Sequence, residues 1–330
     1  MESTLSEILE TVFVETGPSV KSKTISIGTT ASSLDLFFDG YLSDLILGAF
    51  LDSADEFPPY RISVLMLQDF EAFCKDLQVL YPASQLEKPL DFSLTAPFRI
   101  FLSISQGQVY IFNASSREGY IFLRKSKSLD YRSYVTPFRL MLSWIINELG
   151  GELVHASAIC RDNEVIVISG GKGSGKSTLA LTSGLNGGEV LSDDALVLIE
   201  SCAYAVYSRA KIEAQNLYTQ TLLKYSFDLM NTEHAKKVFP LAILGKKFKL
   251  SGNVACIVVP EKSEQIELIE EQEQSLRVEF INNSLREIFD GDLHNVTRLN
   301  QIVDKYNLVL FKASPDMASN FQALVSLFNP

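Results

Sequence analysis

Residues 168–178 read ISGGKGSGKST, in which Gly170, four further residues and then Gly175, Lys176 and Ser177 satisfy the pattern GxxxxGK[ST]. The chemistry of that pattern is the holding of a phosphate chain. Glycines let successive backbone N–H groups curl around an anion without side-chain obstruction, and a helix that starts behind them adds its positive end. Gly170, Gly171, Lys172, Gly173, Ser174, Gly175, Lys176, Ser177 and Thr178 are therefore the candidate nucleotide-binding residues. Lys176 is expected to reach the terminal phosphates and the Ser177 hydroxyl to hold Mg²⁺, with ATP as the nucleotide. Two adjacent carboxylates, Asp193 and Asp194 in GGEVLSDDALVLIE, follow a short apolar run. At a strand end both can face the glycine-rich loop, one holding Mg²⁺ and the other approaching an acceptor hydroxyl. Their mutual repulsion is a strain that a cation relieves. His155, in ELVHASAIC, is one of three histidines and falls on the apolar run just upstream. His234 and His294 fall in polar segments and carry no assigned role.

Such groups need a strand, a loop and a helix in that order. Residues 164–169 supply the strand, and STLALT after the lysine continues as the helix. A second strand is expected over residues 153–160. Ahead of it, TPFRLMLSWIINELGG offers Thr136 as N-cap, Pro137 at the first helical position, apolar residues at helical spacing and a glycine stop, with Trp144 in the core. Downstream, VACIVVPE reads as a core strand, residues 261–273 as a solvated acidic turn and edge, and NLVLFKAS followed by DMASNFQALVSLF as a last strand and closing helix. Residues 1–133 read as a β-rich α+β accessory or recognition domain, with a short helix in QDFEAFCKDL and an antiparallel meander over residues 98–125. Residues 134–330 then form an α/β P-loop domain.

His155 with its small neighbours, the glycine-rich loop and the SDD triplet fall at intervals that resemble the HPr kinase/phosphorylase superfamily and its smaller HPr-kinase-related members. The resemblance covers residues 134–200 well and thins out beyond. It implies a fold like that of phosphoenolpyruvate carboxykinase, with the loop on a mixed sheet. It implies Asp194 as the proton acceptor, Lys176 and Ser177 on phosphate and Mg²⁺, and His155 and Asp193 in support, Asp193 on the metal. In SRAKI, residues 208–212, Arg209 or Lys211 could stabilise charge on the transferred group. The downstream ExRGxGxxN-like run of the bifunctional bacterial enzymes has no counterpart here, and Glu213 is a weak substitute for its carboxylate. Phosphorylase activity and HPr as substrate are therefore not carried over. Relatives of this size include kinases that tailor ribosomally made peptides, lasso peptides among them, so a peptide, protein or small-molecule hydroxyl is the expected acceptor.

The rest of the composition sets limits. A net charge of −11 disfavours nucleic acid, which needs a basic stripe to displace counterions, and disfavours anionic membranes. No apolar run reaches the roughly 18 residues that span a bilayer, and the N-terminus lacks a leader pattern, so a cytoplasmic protein is expected. Four dispersed cysteines indicate neither zinc nor disulfides. A homo-oligomer is compatible with these features. Two functions compete: an ATP-dependent kinase acting on a hydroxyl, and a nucleotide-binding regulatory or assembly protein that transfers nothing. A motor-type ATPase fits SDD after EVL poorly.

Overall fold

Apolar runs bounded by turns build two mixed sheets. The computed structural model describes residues 12, 21–37, 44, 46–47, 49–53, 59–80, 90–91, 98–125, 135–213, 236–270, 274–285 and 294–328. The chain divides into two compact units, Met1–Ser26 with Thr30–Leu47 and Asp52–Leu129, and Ile27–Thr29 with Gly48–Leu51 and Asp130–Pro330. Ile27–Thr29 and Gly48–Leu51 thus belong to the second unit, which begins its main run at Asp130. His234 lies outside the described residues. No described helix is long and apolar enough to cross a membrane.

In the first unit seven strands run β1 (Lys21–Ile27), β2 (Thr30–Leu36), β3 (Tyr60–Leu67), β4 (Leu90–Asp91), β5 (Phe98–Ser103), β6 (Gln108–Asn113) and β7 (Glu118–Arg124), in the order β1-β2-β3-β7-β6-β5-β4. β2, β3 and β7 are parallel, whereas β5, β6 and β7 form the antiparallel meander. Helix α1 (Phe70–Leu80) lays Phe70, Phe73 and Leu77 against Ile100, Val109 and Phe122. Each such side chain removed from water contributes about 1.5–3 kcal/mol.

The second unit carries the site. After α2 (Arg139–Glu148) come β8 (Glu152–Val154), β9 (Ala156–Arg161), β10 (Glu164–Ser169), α3 (Lys176–Leu185), β11 (Glu189–Ser192), β12 (Leu196–Ile199), β13 (Cys202–Tyr204), β14 (Arg209–Glu213) and β15 (Lys236–Pro240). β16 (Ser251–Lys262), β17 (Glu267–Glu270), α4 (Gln274–Ser284), α5 (His294–Val303), β18 (Asn307–Ala313) and α6 (Met317–Val325) complete it. The large sheet follows the order β11-β9-β10-β16-β13-β12-β8, with β18 on β16 and β17 on β18. β10, β16 and β18 are mutually parallel and β9 is antiparallel to both β10 and β11, so the sheet is mixed.

The run EVIVIS is apolar without a break because both its faces are covered. Its side chains alternate: Val165 and Val167 join Phe280 of α4 and Leu299 of α5 on one face, while Ile166 and Ile168 join Leu179 of α3 and Leu324 of α6 on the other. Helices therefore sheathe the sheet on both sides. The period-2 pattern fixes the register, and the register fixes where the glycine-rich loop emerges.

Two local expectations change. The strand expected over residues 153–160 is interrupted at His155, since β8 pairs with β12 whereas β9 pairs with β10 and β11. Helix α2 begins at Arg139 behind Phe138, which takes a left-handed φ of 59° and gives no side-chain cap. Thr136 does not cap it. Its end does follow the glycine stop, with Gly150 at φ 75° and the Gly150 and Gly151 amides donating to Asn147 and Ile146 carbonyls at 3.1 and 3.0 Å. Trp144 is buried in the core. The acidic stretch carries β17, which pairs with β18, in keeping with the expected turn and edge.

Candidate active site

Sheet topology brings the candidate residues to one edge. β10 ends at Ser169, and its partner in register there is Ala156 at the start of β9. His155 therefore stands beside the glycine-rich loop. β11, antiparallel to β9, ends at Ser192 on the same edge and delivers Asp193 and Asp194. On the other flank, β16 and β18 end at Lys262 and Ala313. A cavity of about 830 Å³ opens here, lined by residues 172–179 of the loop and helix, by His155, Asp194, Lys211 and Ile212, and by residues 262–264, 313–315 and 317. The volume falls within the range of small-molecule sites.

The loop's conformation follows from its glycines. Gly173 and Gly175 adopt φ of 82° and 104°, and a Cβ at either would meet nothing within 4 Å, so it is backbone conformation that demands glycine there. Lys176 is buried, and its Nζ donates to the carbonyls of Gly170 (2.6 Å) and Gly171 (3.2 Å). Gly170 and Gly171 thus hold the lysine and do not line the cavity. The Gly171 N–H donates to Glu279 Oε1 of α4 at 3.1 Å. Ser174 Oγ is a buried hydroxyl with no hydrogen-bond partner in the loop's interior. Ser177 lies in the first turn of α3 with its residue on the cavity wall.

The two aspartates point opposite ways because a tight turn separates them. The Ala195 N–H closes on the Asp193 carbonyl at 2.9 Å around Asp194, whose φ is 72°. That is a three-residue γ-turn, a strained conformation that asparagine and aspartate tolerate better than most residues. Asp193 is fully buried. Its Oδ1 accepts from Ser157 Oγ (2.6 Å) and its Oδ2 from the Lys211 N–H (2.9 Å). Asp193 therefore faces away from the cavity and ties β9 to β14, which corrects its expected place on the metal.

Asp194 is the carboxylate that reaches the cavity. Lys211 Nζ lies 2.7 Å from Oδ1, Arg139 Nη2 donates to Oδ2, and His155 Nδ1 lies 3.6 Å from Oδ1. Burial works to raise the pKa of this carboxyl, but Arg139, Lys211 and His155 together hold it well below the usual carboxylate range. His155 Nδ1 is 2.8 Å from the Asp194 backbone carbonyl, which can only accept, so Nδ1 carries a proton. The His155 backbone N–H donates to Ser284 Oγ of α4 at 3.4 Å.

Sequence reasoning missed Arg139. Its Nε donates to Thr136 Oγ1 at 2.7 Å, so the threonine orients the guanidinium instead of capping the helix. A charge inside the apolar run FRLMLSWII was the available signal, since a buried charge requires a partner. Arg209 is buried in β14 and does not line the cavity, whereas Lys211, two residues along the same strand, does. The alternation of a strand makes them share a face, but only Lys211 reaches Asp194. The side chains of Glu213 and His294 lie outside the described residues.

Among the described residues no group of three or more His, Cys, Asp or Glu could hold a metal ion. The Ser177 hydroxyl on the cavity wall fits a cation carried in on phosphates. Mg²⁺ is commonly bound through few protein ligands, substrate phosphates and retained waters.

No family model matches the chain, and no curated protein matches it. Among solved structures the chain is similar to the Hpr(Ser) kinase/phosphatase from Coxiella burnetii, at 15% identity and a TM-score of 0.30, over 53% of this chain and 88% of that one. That likeness is distant, and the site's own residues decide what it can do.

Proposed function

We propose that the chain is an ATP-dependent phosphotransferase with an HPr-kinase-like P-loop domain, moving the γ-phosphoryl group onto a hydroxyl, with a serine of a peptide or protein as acceptor. One observation carries this reading: a single cavity holds both the glycine-rich loop with Lys176 and, across from it, a buried carboxylate bracketed by Lys211 and His155. A site that only held nucleotide would have no use for the second set.

In this reading the loop amides and Lys176 bind the phosphate chain, which draws Nζ away from the Gly170 and Gly171 carbonyls. Mg²⁺ at the Ser177 hydroxyl would neutralise developing charge on the phosphates. Lys211 has two anions within its reach, the Asp194 carboxylate and the transferred group. Its approach to the phosphoryl group stabilises the transition state and releases Asp194 from one of its cations. Asp194 becomes more basic as the acceptor hydroxyl sheds its proton. Arg139 stays behind it as the fixed counter-charge. Positioning and electrostatics supply most of the acceleration, as phosphoryl transfer requires little covalent chemistry from the protein.

The test is transfer of label from γ-labelled ATP with Mg²⁺ into peptides and proteins of a host lysate. Label appearing with wild type and not with Asp194→Asn supports the reading. Nucleotide binding without any transfer would overturn it. That second outcome belongs to a regulatory nucleotide-binding protein, which one observation favours: both oxygens of Asp194 are already engaged by cations.

A further inference from the structure

The edge of the large sheet orders the cavity in one direction, and that order assigns the two ends of the donor. Along it stand Asp194 after β11, His155 before β9, the glycine-rich loop after β10, Lys262 at the end of β16 and Ser314 after β18. Adjacent strands lie about 4.8 Å apart, so the four steps from β11 to β18 span roughly 19 Å. The loop sits in the middle. Asp194 and His155 occupy one side of it, which is where a terminal phosphoryl group must go, so the remainder of the donor extends to the other side, over β16 and β18.

That side is a rigid shelf. Asn320 of α6 is fully buried and clamps Ser314 through both backbone groups, its Oδ1 accepting from the Ser314 N–H (3.0 Å) and its Nδ2 donating to the Ser314 carbonyl (2.8 Å). The Ser263 N–H donates to the Ala313 carbonyl at 2.9 Å, which joins the β16 turn to the β18 turn. Pro315 and Met317 offer apolar surface to the cavity from this shelf, and Lys262 and Glu264 offer charge from the turn beside it. Lys262 and Glu264 are both exposed. A cation and a carboxylate on the β16 turn next to the phosphate-binding loop, then apolar surface after β18, match the order of groups in a nucleotide: phosphate, ribose, base.

Building on the proposed phosphotransferase reading, we infer that the donor's nucleoside lies over the ends of β16 and β18, its base against Pro315 and Met317 and its ribose hydroxyls on the Glu264 carboxylate. The shelf makes the donor a nucleoside triphosphate, not inorganic polyphosphate, and makes Glu264 the residue that distinguishes a ribose from its deoxy forms.

Calorimetric titration of wild type and Glu264→Ala with ATP, 2′,3′-dideoxy-ATP and inorganic tripolyphosphate, each with Mg²⁺, tests this. A charged hydrogen bond to a ribose hydroxyl corresponds to roughly a tenfold change in affinity. The expected result is that Glu264→Ala weakens ATP about tenfold, leaves dideoxy-ATP and tripolyphosphate unchanged, and so erases the preference for the ribose. If ATP and tripolyphosphate bind wild type and Glu264→Ala alike, the nucleoside assignment is wrong while the phosphate-binding loop stands. If wild type binds none of the three, both the assignment and the phosphotransferase reading fall.

Discussion

The two ends of the cavity are built on different principles. At one end Asp194, Arg139, Lys211 and His155 are all buried and locked to one another, with Thr136 and Ser284 fixing them from behind. At the other, Lys262, Glu264 and Pro315 are exposed on turns held by Asn320 and by the hydrogen bond from Ser263 to Ala313. A buried charge cluster is costly unless every member is paired, and it keeps its geometry without help from a ligand. An exposed shelf keeps its side chains solvated until a ligand arrives. On the proposed reading the difference divides chemistry from recognition: the dry end handles charge and the wet end sorts ligands.

Changes at the dry end should therefore act on the rate and changes at the wet end on binding. The largest effect is expected from Asp194→Asn, which removes the proposed proton acceptor while keeping shape and the positive-φ backbone. Transfer should fall by about 10³-fold, within the range for a lost general base, with ATP affinity little altered in an equilibrium titration. Next comes Lys211→Met, which removes the cation now on Asp194 that is proposed to move to the phosphoryl group. A loss of about 10²-fold in kcat is expected, with KM for ATP changed less, from steady-state kinetics. Arg209→Met, on the same strand but off the cavity, should leave kcat within about threefold; an effect as large as that of Lys211 would break the distinction between them.

Stability separates the two aspartates further. Asp193→Asn should lower unfolding free energy by about 1–3 kcal/mol, measured by denaturant titration, because a buried pair of hydrogen bonds to Ser157 and Lys211 loses its charge. For Asp194 the pH dependence has a definite sign. Its folded carboxyl binds a proton less readily than the unfolded one, so the stability it contributes is present above the ordinary aspartate value near about 4 and is lost as pH falls through the depressed folded value. Wild type should lose stability as pH falls below about 4 more steeply than Asp194→Asn does. Equal slopes would mean that Asp194 is not held by its cations in solution.

Much of this was legible in the residues, for physical reasons. GGKGSGKST announces itself because glycines at fixed spacing, an apolar strand before and a helix after are all local. EVIVIS and VACIVVPE read as buried strands because both faces must be covered. What was not legible depends on contacts distant in sequence. Nothing local separates Asp193 from Asp194, and the γ-turn that turns one inward is closed by the backbone. Arg139 meets Asp194 only after the intervening strands have folded, so its position in an apolar helix reads as an anomaly until its partner is seen. The shelf at residues 262–264 and 314–317 emerges from the parallel pairing of β16 and β18, which no short motif records.

The most direct measurement of the central claim is single-turnover transfer from γ-labelled ATP to an acceptor peptide or protein, by wild type and Asp194→Asn at matched nucleotide occupancy. Transfer by wild type, slowed about 10³-fold in the variant at equal occupancy, is what the arrangement of Asp194, Lys211 and the glycine-rich loop predicts. Equal rates, or label that never leaves ATP with either protein, would contradict it.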